Sequence, residues 1–275
     1  MNEHKAVLLN EAIYALGVRK NGIYVDATLG AGGHARRILE NGGRVIGIDD
    51  DPKMLEIAKA NLSDFSNVSL VNGNFRKIDK LLADLKINKV DGILADLGVS
   101  SVHFDEDDRG FSFKDERATL DMRLNKTTQE ITGADLLNGL REDQLAQILG
   151  GKLALEIVAS RVATPFKTVG DFVKTIRKVV AFSGKINPAT KAFMALRIAV
   201  NTEEANLIEF LPKAYELLKV SGRMVVISFH SGEDRIVKDF FRNKKRIGGL
   251  VCPSALEIEK NPRARSARMR VVEKI

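Results

Sequence analysis

The chain has 275 residues, 44% of them hydrophobic, with 43 Lys and Arg against 36 Asp and Glu. That is enough for one large domain or two small ones, and the charge of +7 suits either a solvated surface or a polyanionic partner. The single cysteine, Cys252, excludes an internal disulfide and a cysteine-based zinc site, no apolar run approaches a membrane span, and Met1 to Leu16 is too polar for a signal peptide, so a cytoplasmic protein is expected.

His4 to Leu16 reads as a short extended piece followed by a helix. Ile23 to Val25 is a brief buried strand, broken by Gly30, Gly32 and Gly33; His34 to Glu40 resumes at helical spacing and Gly42-Gly43 closes it. Val45 to Ile48 is a second strand ending in Asp49. Asp51-Pro52 is an N-cap and first helical residue, with Met54, Leu55, Ala58 and Leu62 at helical spacing behind it. Asn67 to Val71 is a third strand, Ile78 to Leu85 a helix, and Val90 to Asp96 a fourth strand that again ends in an acid. This alternation predicts an α/β fold with a doubly wound parallel sheet. Its ligands gather at the carboxyl ends of the strands, where Asp26, Asp49, Phe75 and Asp96 fall.

The alternation then stops. Val102 to Lys191 shows no convincing strand, and a helical domain is expected there, with the main fold as 1–101 and 192–275. Thr132 to Leu140, Glu142 to Leu149 and Leu153 to Val162 read as short helices, Thr168 caps a clearer one, and Asn187-Pro188 begins another. Proteolysis is expected near Glu106 to Asp108 or Ser183 to Asn187. Leu207 to Leu218 is helical, Arg223 to Phe229 a strand, His230 to Phe241 a helix and Ala267 to Val272 a last strand.

Glycines let a ligand approach the backbone, a helix N-terminus offers unpaired N–H groups, and an acid ending the second strand can accept both hydroxyls of a ribose. Gly30-x-Gly32-x-x-Ala35 alone would also fit a nicotinamide enzyme. Asp26 discriminates. A carboxylate beside the turn can meet the ammonium of a methionine moiety, whereas it would repel a pyrophosphate, so the pattern looks like the first motif of class I S-adenosylmethionine (SAM) methyltransferases.

Longer words point further. They are His4 to Glu11, Tyr24 to His34, Asp91 to Ser101, Arg109 to Phe113, Leu120 to Arg123, Pro188 to Thr190, Leu196 to Ile198, Ser228 to Lys238 and Asn261 to Ser266. In order and over nearly the whole chain, they resemble the bacterial 16S ribosomal RNA cytosine-N4 methyltransferases of the MraW (RsmH) type. The resemblance implies a class I SAM-dependent methyltransferase fold, Rossmann-like, interrupted by a helical domain. It implies SAM as methyl donor and contacts at Gly32, Gly33, His34, Asp49, Phe75 and Asp96, with His103 standing where the family carries glutamine. It implies 16S rRNA in the small ribosomal subunit as partner and no membrane; a homodimer stays open. The chain departs from the family at Gly150 to Glu156, at Asn187, at Glu204 and at Gly232, and the segment between Lys245 and Asn261 is short.

Asp96 is the candidate catalytic acceptor, since transfer to an amino nitrogen needs a group that receives the N–H. Phe111 and Phe113 are expected to pack the insertion or stack on an extruded base. Arg263, Arg265 and Arg268, with the run Arg242 to Arg246, suit RNA phosphates. His34 is expected to act through its backbone N–H more than its imidazole. A non-catalytic RNA-binding ribosome-assembly factor on the same fold is the alternative, because fold alone does not fix function.

Overall fold

The computed structural model describes residues 6–105, 109–180 and 187–275. The expected cleavage points lie outside these residues, save Asn187, as do His4 and Lys5 of the first resemblance word. The chain forms two compact units, one of Met1–Val99 with Glu204–Ile275, the other Ser100–Glu203. The sequence-based boundaries stood at 102 and 191; the second unit closes later because the helix begun at Asn187-Pro188 belongs to it.

In the first unit, seven strands make one sheet: β1 Ile23–Asp26, β2 Arg44–Asp49, β3 Val68–Asn72, β4 Val90–Asp96, β5 Leu218–Ser228, β6 Lys245–Arg246 and β7 Arg268–Glu273. Their order is β3-β2-β1-β4-β5-β7-β6. The first five are mutually parallel, and β7 runs antiparallel to β5 and β6. Parallel strands must be covered on both faces. One face packs Tyr24, Leu94, Val225, Ile227 and Val271 with Leu16 of α1 (Leu9–Leu16) and Ile38 of α2 (Gly33–Glu40). The other packs Val25, Ile93, Met224 and Val226 against Ile78, Leu82, Phe210 and Phe241.

Helix starts follow the sequence. Asp51 accepts from the Lys53 N–H ahead of α3 (Pro52–Asn61), whose first residue is proline. α4 (Ile78–Asp84) leads to β4. The second unit holds α5 (Ser101–Asp105), α6 (Gly133–Gly139), α7 (Glu142–Leu149), α8 (Gly151–Ala163), α9 (Val169–Val179) and α10 (Pro188–Val200). Thr132 and Thr168 each form a capping box with an aspartate three residues on. Among its described residues there is no strand, only an isolated bridge from Thr119 to Thr168. The chain returns through α11 (Glu203–Leu217) and ends with α12 (Ser231–Phe241) and α13 (Ala255–Lys260) around the last strands.

β5 begins at Leu218, five residues before the sequence signal at Arg223. Leu218 pairs with Val90, then the register slips before Arg223 meets Gly92, so the exposed Lys219 to Ser221 carry no alternation. No described helix is long and apolar enough to cross a membrane.

Candidate active site

The carboxyl ends of the parallel strands converge on one rim of the first unit. Asp26 follows the β1 pairing with Leu94, two residues before Asp96 on β4, and Asp96 pairs with Ile227 on β5. Asp49 pairs with Asn72 at the ends of β2 and β3.

The turn after β1 needs glycine. Gly30 and Gly32 have φ of 53° and 86°, and a Cβ on Gly33 would sit 3.0 Å from that of Ala6. The Gly30 N–H donates to Asp49 Oδ2 at 2.7 Å and the Asp51 N–H to Oδ1 at 2.9 Å. Each carboxylate oxygen therefore takes a backbone donor, which holds the acid in place at the end of β2.

Two neighbouring acids are in a different state. Asp26 is 1% exposed; its Oδ1 takes a long bond from the Thr28 N–H, Oδ2 is enclosed with no hydrogen bond of ordinary geometry, and the Thr28 and Ala35 N–H groups offset only part of the cost of burial. Burial, and then the charge of Asp49, push its carboxyl up to about 7. Asp96 keeps 18% of its side chain accessible, yet its Oδ1 is also enclosed and unpartnered. Its carboxyl is raised well above the ordinary range, by burial first and then by Asp26, Glu233 and Glu257. Buried carboxylates without donors are costly unless a cation arrives. Their oxygens are acceptors suited to a positively charged ligand.

His34 is not an exposed helix-start side chain. It is buried, its Nε2–H donates to the Val7 carbonyl at 3.1 Å, and Nδ1 lies 3.7 Å from Asp96 Oδ2. The Val7 bond fixes which nitrogen faces the acid. Phe75 is half-buried, edge-on to Phe210 with centroids 5.1 Å apart, so part of its ring serves the core.

The other expected residues are spread out. In the second unit, His103 on α5 is buried beside Phe111, ring centroids 5.3 Å apart. Phe111 is 4% exposed under the Arg109 guanidinium, so of the two roles expected of it, its surroundings serve packing. Phe113 is half-buried, edge-on to Phe193. In the first unit, Arg268 opens β7 opposite Ser228 and donates to Asp234 at 3.1 Å, so its charge is shared, while Arg263 and Arg265 are exposed on the turn before it.

Two acids of the first unit went unnoticed in the sequence. Glu233 is 2% exposed, and its Oε2 accepts the Phe229 and His230 N–H groups at the start of α12. The capping-box spacing from His230 to Glu233 was the available signal. Glu257 accepts the Leu8 N–H at 2.8 Å across the fold, a pairing no local pattern shows.

A sheet of order β3-β2-β1-β4-β5-β7-β6 with β7 reversed, a glycine turn after β1 and an acid ending β2 define a class I SAM-dependent methyltransferase. The chain belongs to the MraW methylase family, whose model matches residues 1–249. Curated relatives agree. Ribosomal RNA small subunit methyltransferase H of Thermotoga neapolitana is 44% identical, covering 98% of this chain and 95% of its own. The protein of the same name from Fervidobacterium nodosum is 41% identical over 100% and 98%. Among solved structures, a Clostridium thermocellum protein assigned as an rRNA methylase superposes with a TM-score of 0.50 at 16% identity, covering 98% of both chains. A Streptococcus mutans protein assigned as a methyltransferase, in complex with SAH, matches with the same TM-score at 14% identity, over 98% of this chain and 99% of that one. These two likenesses speak to the fold.

Proposed function

We propose that this protein transfers a methyl group from SAM to the exocyclic N4 of a cytidine in small-subunit ribosomal RNA. The observation that carries the reading is the pair of enclosed, donor-poor carboxylates, Asp26 and Asp96, beside the glycine turn and Asp49. The names of the curated relatives support ribosomal RNA as the substrate.

The residues present fit SAM. Asp49 would hold the ribose diol, the Gly32-Gly33 backbone the approach along the turn, and Phe75 the adenine side. Asp26, with an oxygen in need of a donor, would meet the ammonium. Bound SAM supplies an electrophilic methyl on a sulfonium, so the chain needs no metal to activate a leaving group.

The cytosine amino nitrogen is a poor nucleophile because its lone pair is delocalised into the ring. The protein's task is to orient N4 and receive positive charge as the N–C bond forms. With the positive charge of bound SAM favouring its ionised form, Asp96 Oδ1 would accept an N4–H bond and afterwards the proton. His34 Nδ1, on the Oδ2 side, would share that proton while Val7 holds the ring in place. The base must leave its stack to reach the rim. Of the expected aromatic pair, Phe113 of the second unit is the one only half-buried.

Incorporation of labelled methyl from SAM into small-subunit particles and naked 16S rRNA tests the reading. Turnover on either supports it. Tight SAM binding with no incorporation into RNA would replace it by the non-catalytic assembly factor.

A further inference from the structure

Away from the acidic rim, the β6–β7 edge of the first unit carries a small cationic pocket of about 60 Å³. It is lined by Lys238 of α12, Arg246 of β6, Arg270 of β7, the Gly248-Gly249 turn and Leu250, together with Phe241 and Val271. We propose that this pocket holds one backbone phosphate of the RNA substrate; the proposal rests on the reading of the substrate as RNA.

The charges are arranged for an anion. Most neighbouring cations are already engaged: Arg242 with Asp239, Lys245 with Glu273, and Lys244 over the Phe240 ring at 3.7 Å. Lys238 and Arg246 have no such partner among the described residues. Arg268 and Arg270 share the one carboxylate of Asp234, whose pKa they hold below the ordinary range, so an excess of positive charge remains.

The backbone contributes as well. The Ile247 N–H donates to the Val271 carbonyl at 3.1 Å, and Val251 exchanges bonds with Met269 at 3.1 and 2.9 Å. The loop between is thus pinned at both ends on β7. Gly248 has φ of 69°, and a Cβ on either glycine would meet no atom within 4 Å, so this surface is open rather than packed. The N–H groups of Gly248, Gly249 and Leu250 donate no bond among the described residues. These amides are therefore left to bond water or an anion.

Size and place point to a phosphate of a longer chain. The pocket admits a few water-sized groups, which suits phosphoryl oxygens and not a base. Arg268 lies at the rim opposite Ser228, and Arg270 is two residues further along β7, opposite Val226. The pocket therefore begins roughly 7 Å down the sheet edge from the rim. An RNA strand whose target base enters the rim would run its phosphates past the exposed Arg263 and Arg265 toward this cradle.

The test is fluorescence anisotropy of a labelled 16S rRNA fragment across a salt series, with SAM affinity by calorimetry in parallel. For Lys238→Ala/Arg246→Ala, the log–log salt slope should flatten by roughly 0.7–0.9, the value for one phosphate lost, and affinity at low salt should fall on the order of tenfold. SAM affinity should not change, and Lys238→Arg/Arg246→Lys should bind RNA like the parent. An unchanged slope and affinity in the alanine variant, with the parent binding RNA, overturns the cradle and leaves the functional reading standing. Equal loss in the charge-retaining variant also overturns it. A parent protein with no salt-dependent RNA binding removes the reading and the cradle together.

Discussion

The rim and the β7 edge, both in the first unit, treat charge in opposite ways. At the rim, Asp26 and Asp96 are enclosed, each with an oxygen that makes no hydrogen bond of ordinary geometry. At the edge, arginines and lysines face water or share a carboxylate, and the Asp234 charge is stabilised by two guanidiniums. The first arrangement is unfavourable until a cation binds and acts at close range. The second costs little and acts over a Debye length, so it fades with salt. A small cationic cofactor and a long polyanion make different demands, and one sheet meets them on different borders.

The largest expected break of this contrast is at Asp96. Asp96→Asn should lower the single-turnover rate on RNA by roughly two to four decades while SAM still binds, as loss of a general base does. Loss of SAM binding instead would assign Asp96 to the cofactor. Next is Asp49→Ala, which should weaken SAM by roughly 2–4 kcal/mol, about two to three decades, by removing charged hydrogen bonds to the ribose. Calorimetry that finds unchanged affinity in a folded protein would take Asp49 out of the site.

Asp26 sharpens the comparison through pH. Its carboxyl is raised in the folded protein from 3.8 to about 7, so the stability it contributes is present below 3.8 and lost as pH rises through about 7. Asp26→Asn should therefore be more stable than the parent above about pH 7, by up to roughly 4 kcal/mol, in denaturant melts without cofactor. The ammonium favours the ionised form, so the parent's SAM affinity should rise with pH through the same window and the variant's should not. A parent with pH-independent stability and affinity there would mean that Asp26 is already ionised. The smallest effect is expected at the arginines. Replacing Arg263, Arg265 and Arg268 together should flatten the RNA salt slope by roughly 2, most of it from the two solvent-facing residues. No change would place all three outside the RNA path.

The sequence showed the half of the fold where local signals and tertiary roles coincide. β1 to β4 are short apolar runs, three of them closed by Asp26, Asp49 and Asp96, and Thr132, Thr168, Asp51 and Asn187 cap helices as their side chains dictate. β6 stayed hidden because two residues have no period, and only pairing with β7 makes them a strand. α13 was missed although Ser254 caps it by accepting the Glu257 N–H. In the site, Asp26 and Asp49 were legible from their places after strands. The burial of His34 was not, since it depends on the Val7 carbonyl from another segment. Nor was the burial of Phe111, which depends on Arg109 folding over it.

The most direct test of the central claim is the identity of the methylated nucleoside. 16S rRNA treated with the protein and SAM, digested to nucleosides and resolved by mass spectrometry against standards, should yield N4-methylcytidine, and Asp96→Asn should yield far less of it in the same time. Methyl on C5 of cytidine, or on any other base, would contradict the assignment of Asp96 as the acceptor of an amino proton and the reaction proposed with it.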